Sequence, residues 1–324
     1  MVPISILDLA PIVRGGDAGE ALHRSLELAR HAETWGYHRF WMAEHHSMPG
    51  VASAATAVAL AHVAAGTKTI RVGAGGIMLP NHAPLVVAEQ FGTLAALHPG
   101  RVDLGLGRAP GGDPYTAQAL RRDPVAAADQ FPEDVVELMR YFDPPPGPRR
   151  VRAIPGEGLD VPIWILGSSL FGARLAAALG LPYAFASHFA PAQLDAALAV
   201  YRAEFRPSPR LDRPHAMVAA NVFAADTAEE ARLLRSSLVQ AFLSLRRGTP
   251  IPLPPPDPSL AVDAAEMAML QQTLTYTFAG TAAEVREKLE SFAARTGADE
   301  VIVSSMTFDP AARLRTFELL APVG

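Results

Sequence analysis

Eight short apolar runs recur along the chain, most of them followed by a longer stretch with helical spacing. This alternation constrains the fold more than any single motif does. The runs are Ile4–Leu9, His38–Glu44, Ile70–Leu79, Arg101–Arg108, Pro162–Gly167, Tyr183–Ser187, Met217–Ala224 and Glu300–Ser305. Several, such as ISILDL, VDLGLG and IWILG, are apolar almost without interruption. Such a strand suits burial on both faces, the condition of a parallel sheet covered by helices. The intervening stretches supply the helices. Gly19–Trp35 puts Leu22, Leu26, Ala29 and Ala32 on one face and Glu20, Arg24, Glu27 and Arg30 on the other. Pro84–Leu97, Phe171–Leu179, Pro191–Phe205, Thr227–Arg246 and Thr281–Thr296 repeat the habit, and Thr281 with Glu284 and Thr227 with Glu230 read as capping boxes. The alternation predicts one α/β domain, a (β/α)8 TIM barrel, over residues 1–324. The rival doubly wound sheet lacks its G-x-G-x-x-G turn after the first strand.

Two stretches break the rhythm. Residues 143–162 (DPPPGPRRVRAIPGEGLDVP) and 248–258 (GTPIPLPPPDP) carry too much proline for a helix or a central strand and are expected as loops. The second precedes an extra helical run, Val262–Phe278. Insertions of this kind either cover a barrel's mouth or run over its surface. A net charge of −5 argues against nucleic acid or an anionic membrane as the main partner. With no cysteine, the chain has no disulfide, thiolate metal centre or cysteine nucleophile. No stretch reaches the ~18–20 apolar residues of a membrane span. The run MVPISILDLAPIVRGG has no basic segment ahead of its apolar residues, so the expectation is a cytoplasmic protein without a signal peptide.

A barrel of this type works at the C-terminal ends of its strands. There the sequence puts Asp8-Leu9-Ala10-Pro11, Glu44-His45-His46, Leu79-Pro80-Asn81-His82, Arg108-Ala109-Pro110-Gly111-Gly112, Gly167-Ser168-Ser169 and Ser187-His188-Phe189, after strands one to six in turn. Glycine is dense in the third and fourth strands, at Gly73, Gly75, Gly76, Gly105 and Gly107. Inside a strand it marks a bulge or the close approach of a ligand. Gly167-Ser168-Ser169 opens a helix, as a plain N-cap or as an anion site suited to phosphate. Arg108 would add a charge-assisted bond to that phosphate, or serve in a structural ion pair. His82 and His188 read equally well as core histidines. Adjacent side chains on an extended chain point opposite ways, so His45 and His46 are not expected to share an ion; no metal is expected, the lesser alternative being a metal-dependent hydrolase built from His45, His82 and His188. Taken together, these signals suggest a phosphorylated planar cofactor.

The runs ILDLAPI, WMAEHHSMPGVASAA, VGAGGIMLPNHAPLVVAEQFGTL, HPGRVDLGLGRAPGG and WILGSSLFGARLAAALGLPYAFASHFAP occur in that order over nearly the whole chain. They resemble the bacterial luciferase-like flavin monooxygenases, in particular the single-chain YhbW-like branch. The resemblance implies a barrel that takes reduced FMN from a separate NAD(P)H-dependent flavin reductase. Oxygen would add to the flavin as a C4a-hydroperoxyflavin, which oxygenates a small organic substrate. It implies proton handling near the flavin for His45, with Glu44 and His46 in support. It puts a non-prolyl cis peptide at Gly75-Gly76, under the flavin ring, and the phosphate at Arg108, Gly167, Ser168 and Ser169. Asp8 and Ala10 are expected beside the cofactor. His82, Tyr115, His188 and Phe189, with the loop near 250, are expected to support the site or shape a substrate pocket. Light-emitting luciferases carry a reactive cysteine where this chain has Gly107, so light emission is not expected. The alternatives are F420-dependent hydride transfer and a non-catalytic flavin-binding protein.

Ser53–Thr67 (SAATAVALAHVAAGT) contains no charged residue. An outer barrel helix should show water a polar face. The expectation is a homodimer packed through this helix and Pro84–Leu97, the alternative being cover by the chain's own insertions.

Overall fold

The computed structural model describes residues 2–109, 114–120, 123–144, 147 and 150–322. Residues 110–112 after the fourth strand, and parts of the proline-rich 143–162 stretch, lie outside them. Nine strands, each parallel to its neighbours, occur among the described residues: β1 (Ile4–Asp8), β2 (Arg39–Met42), β3 (Arg71–Met78), β4 (Val102–Gly107), β5 (Ile163–Gly167), β6 (Tyr183–Phe185), β7 (Ala216–Ala225), β8 (Thr277–Thr281) and β9 (Glu300–Ser304). The order β6-β5-β4-β3-β2-β1-β9-β7, closed by a β6–β7 pairing, makes an eight-stranded TIM barrel.

Twelve α-helices accompany the strands among the described residues: α1 (Ala18–Thr34), α2 (Thr56–Gly66), α3 (Pro84–Leu97), α4 (Pro114–Ala119), α5 (Pro124–Asp129), α6 (Phe131–Phe142), α7 (Leu170–Leu179), α8 (Leu194–Glu204), α9 (Ala228–Arg246), α10 (Ala264–Thr273), α11 (Ala282–Thr296) and α12 (Pro310–Leu319). The capping box of α11 forms in full, Thr281 accepting from Glu284 N while Glu284 accepts from Thr281 N. That of α9 forms only its first half, from Glu230 N to Thr227 Oγ1 at 3.2 Å.

The ninth strand departs from the sequence reading. Asn221 of β7 pairs with Ser304 of β9 on one edge and with Thr277 of β8 on the other. The short β6 uses only Ala216–Val218 of that second edge and leaves the rest to β8. The expected helix Val262–Phe278 therefore stops at Thr273, and its last residues enter β8. The run Thr275–Phe278 alternates threonine with aromatic residues, a composition that favours strand.

Side-chain alternation divides each barrel strand between two cores. Ile4 and Ile6, Phe40 and Met42, Val72 and Ala74, and Leu104 and Leu106 face the helices. Leu7, Trp41, Trp164, Ala184, Met217 and Ile302 fill the barrel interior, where Trp41 and Trp164 meet edge to face at 5.2 Å. The strand glycines belong to this packing. A Cβ on Gly75 would stand 2.7 Å from Leu7 Cδ1, and one on Gly105 would stand 2.3 Å from the carbonyl oxygen of Ala74. The clearance read from the sequence as room for a ligand is taken up, at these two positions, by the protein's own tryptophan layer and by the neighbouring strand.

A buried ionic cluster closes the N-terminal end of the barrel. Arg39 binds Asp103 at 2.7 Å and Glu300 at 3.1 Å, Trp41 Nε1 donates to Asp103 at 3.2 Å, and Ser5 donates to Glu300. Both carboxylates are fully enclosed but paired, as buried charges must be. The opposite end carries the residues that follow the strands.

Candidate functional site

At the C-terminal end of β2 the chain runs on through Ala43 to the Glu44-His45-His46 triplet. Glu44 is buried and its carboxylate is fully occupied. Oε1 accepts from His46 Nε2 at 2.7 Å and from His82 Nε2 at 2.8 Å, and Oε2 accepts from Met78 N at 3.0 Å. These hydrogen bonds hold the Glu44 carboxyl below its ordinary range against the opposing effect of burial. The donor atoms of the three residues lie within 4.8 Å of one another. Both imidazole N–H groups already converge on one oxygen, so the arrangement reads as a hydrogen-bonded clamp between the segments after β2 and β3. His82, unplaced by its sequence neighbours, is thus a partner of Glu44.

His45 is set differently. It continues the inward side of the alternation begun by Trp41 and Ala43. Its Nδ1 is buried and has no hydrogen-bond partner, and burial pushes the ring below the usual histidine range. His188, after β6, is its counterpart. Asn221 Nδ2 donates to the His188 carbonyl at 2.7 Å, and the ring packs on Phe189. The Nδ1 of His188 is likewise buried without a partner, and burial, helped by the nearby His45, pushes this ring down to about 4. The mouth therefore holds two imidazoles that are neutral at pH 7, each with an unused ring nitrogen.

The peptide between Gly75 and Gly76 is cis, and these glycines sit where β3 shifts register against β4. Beyond β4, Arg108 is exposed. Its guanidinium lies 4.2 Å above the ring of Phe171, in the first turn of α7, and among the described residues nothing else pairs with it. The other end of this grouping is Gly167-Ser168-Ser169. Ser169 occupies the N-cap position of α7 with extended backbone (φ −145°), yet its side chain does not cap the helix. A free cation beside a helix N-terminus with two unused hydroxyls is a site for an anion. Phe171, which orients Arg108, was not anticipated from the sequence.

The Asp8 side chain points away from the barrel interior. Asp8 shares the outward parity of Ile4 and Ile6, so it faces the helical layer and not the barrel interior. There it binds Arg313 of α12 at 2.6 Å. Tyr115 stands on α4 with 83% of its surface exposed. The loop 248–258 does reach the mouth. Leu253 is buried against the segment after β1, its N donating to Ile12 O and its O accepting from Arg14 N, both at 2.8 Å. The loop thus straps the segment that follows β1. The α2 helix is not covered by insertions, since Val58 on its outer face is 71% exposed. No helix among the described residues is long and apolar enough to cross a membrane.

Known proteins are similar to this chain in sequence and fold. An E. coli K12 protein named luciferase-like monooxygenase is 52% identical over 324 residues, covering 99% of this chain and 97% of that one. The uncharacterized protein YvbT of Bacillus subtilis strain 168 is 56% identical over 323 residues, covering 99% and 96%. Among solved structures, apo-MsnO8 superposes with a TM-score of 0.89 at 35% identity, covering 99% of this chain and 98% of its own. More distant structures share the fold alone. They include the FMN complex of the oxygenating constituent of 3,6-diketocamphane monooxygenase from Pseudomonas putida (TM-score 0.71, 19% identity, 99% and 97% covered). Another is an F420-dependent secondary alcohol dehydrogenase (TM-score 0.65, 17% identity, 98% of each chain covered). The sequence model described as luciferase-like monooxygenase matches residues 2–300, and the chain belongs to that family.

Proposed function

We propose that this chain is a flavin-dependent monooxygenase that receives reduced FMN from a separate NAD(P)H-dependent reductase and oxygenates a small organic substrate with O2. The observation that carries the reading is Arg108, without an ion-pair partner among the described residues, held over Phe171 beside the start of α7, where the Ser169 side chain does not cap the helix and Leu170 N donates to Gln193 Oε1 at 3.3 Å. That grouping fits a cofactor ending in phosphate. Reduced FMN, when bound, supplies the two electrons with which O2 gives one atom to the substrate and the other to water.

The chain's own residues have separate tasks. Arg108, Gly167, Ser168 and Ser169 hold the phosphate, and Gly75 and Gly76 border the ring. His45, neutral and with Nδ1 free, takes and returns a proton at the reacting edge. The clamp of His46 and His82 on Glu44 fixes the backbone from which His45 projects. His188 faces the same space and contacts the substrate. The tryptophan-packed interior beneath, with the 248–258 strap at the rim, limits the access of water. The exposed apolar face of α2, with α3 beside it, pairs two copies of the chain into a homodimer.

Anaerobic titration with reduced FMN tests the cofactor reading. Arg108→Met removes the charge and keeps the stem over Phe171, and weakens FMN affinity by about 10- to 100-fold, the worth of one charge-assisted bond. His45→Ala leaves affinity within a few-fold and slows oxygen transfer. Equal affinity in Arg108→Met contradicts the phosphate site. Binding of F420 in place of FMN would assign hydride transfer instead. Tight binding of oxidised FMN without oxygen transfer would make the protein a carrier.

A further inference from the structure

We infer that Arg313, on the last helix and beyond the stretch matched by the family model, is a positioning residue of the mouth. The inference rests on the flavin reading only for its functional consequence. Arg313 is 6% exposed and spans three parts of the chain. Its Nη2 binds Asp8 Oδ1 at 2.6 Å, its Nε donates to Ser305 O just past β9 at 3.0 Å, and its guanidinium lies 5.7 Å above the Phe317 ring. It thereby ties the C-terminal ends of the first and last barrel strands together at the working end of the barrel.

Asp8 passes the constraint on. Its Oδ1 also accepts from Ala10 N at 2.9 Å, closing a turn in which Ala10 adopts φ +48°, a conformation a non-glycine residue rarely takes. The carbonyls of that turn face the next loop. Ala10 O accepts from Ala52 N at 3.0 Å, and Leu9 O accepts from Ser53 Oγ at 3.3 Å. Ser53 O in turn accepts from His45 N at 3.4 Å. A continuous series of polar contacts thus runs from α12, outside the barrel, to the backbone of His45, inside its mouth. Asp8 Oδ2 is buried with no partner, so the turn is held from Oδ1 alone and depends on the guanidinium that shares it.

This ion pair sets the Asp8–Ala10 turn and, through Ser53, the placement of His45. A pair serving only the fold would affect all elements alike. The test compares Arg313→Lys, Arg313→Met, Asp8→Asn and the double variant Asp8→Asn/Arg313→Met by amide hydrogen exchange, thermal melting and anaerobic titration with reduced FMN. The expected result is exchange faster by about tenfold in residues 8–14 and 43–54, with α9 unchanged, in Arg313→Met and Asp8→Asn. Oxygen transfer from bound reduced FMN, followed by rapid mixing with oxygenated buffer, should slow about tenfold in the same two variants while FMN affinity stays within a few-fold, with partial rescue in Arg313→Lys and no further loss in the double variant. Exchange that rises uniformly with the loss of melting temperature, or does not rise in these two segments, overturns the inference. If wild type does not bind FMN, the flavin reading fails, and the local exchange still decides the role of Arg313.

Discussion

The two imidazoles of the mouth make the protein's acid sensitivity specific. His188 titrates at about 4 in the fold and at 6.5 when free of its surroundings. Below pH 6.5 the unfolded chain binds a proton that the folded chain refuses. Its contribution to stability is therefore complete above pH 6.5 and is lost as pH falls toward 4, at up to ~1.4 kcal/mol per pH unit. Glu33 acts in the next window. Despite the cost of burial, its carboxylate accepts from the backbone of Lys68, Thr69 and Ile70 and from the Thr69 hydroxyl, which brings its pKa to about 2. A depressed acid stabilises above its unfolded value, 4.5, and that stabilisation disappears as pH falls through about 2. Urea unfolding as a function of pH should show both windows. His188→Gln should flatten the curve between pH 6.5 and 4, and Glu33→Gln should flatten it below 4.5. An unchanged slope in either variant contradicts the corresponding assignment.

At the scale of elements, the close approach of β3 and β4 is the most exacting feature of the barrel. Gly105→Ala sets a methyl group against the Ala74 carbonyl, which cannot swing aside as a side chain would, and should cost about 1–3 kcal/mol or more by overpacking. Asp103→Ala strips the buried cluster of the anion shared by Arg39, Arg71 and Trp41 and should cost about 3–5 kcal/mol. Chemical denaturation measures both, and a loss under 1 kcal/mol for Gly105→Ala would mean that β4 moves freely against β3. These elements also show what the sequence discloses. The barrel strands are legible because strands buried on both faces read as unbroken apolar runs. The ninth strand is not, because Thr277–Thr281 follows directly on a helical pattern and pairs with one edge of β7 only. The site divides in the same way. Residue types at strand ends mark the Glu44-His45-His46 segment and the Arg108 and Ser168-Ser169 places. Contacts set by three-dimensional packing leave no local trace: His82 on Glu44, Phe171 beneath Arg108, and Arg313 on Asp8. At Gly73 and Gly75 the place of a side chain is taken by Trp41, whereas at Gly76 and Gly105 it is taken by the backbone of the neighbouring strand.

Among the described residues, α2 and α3 together expose large apolar side chains. On α2 and α3, Val58, Val86 and Leu97 are exposed at 71%, 44% and 66% on helices that carry few charges. Apolar exposure of that kind on adjacent barrel helices is what a subunit interface requires. In the proposed homodimer, Val58→Asp with Leu97→Asp should give a monomer in sedimentation equilibrium at micromolar concentration while wild type sediments as a dimer. A wild-type monomer would contradict the pairing.

In the proposed function the C-terminal end of the barrel holds reduced FMN through Arg108 and α7 and directs its reaction with oxygen through His45. The most direct test loads the protein anaerobically with reduced FMN and mixes it rapidly with oxygenated buffer while absorbance is recorded. The account predicts a transient spectrum distinct from both reduced and oxidised flavin, longer-lived than in free solution and shortened by His45→Ala. Failure to bind reduced FMN, or oxidation at the rate of free flavin with and without candidate substrates, would contradict it.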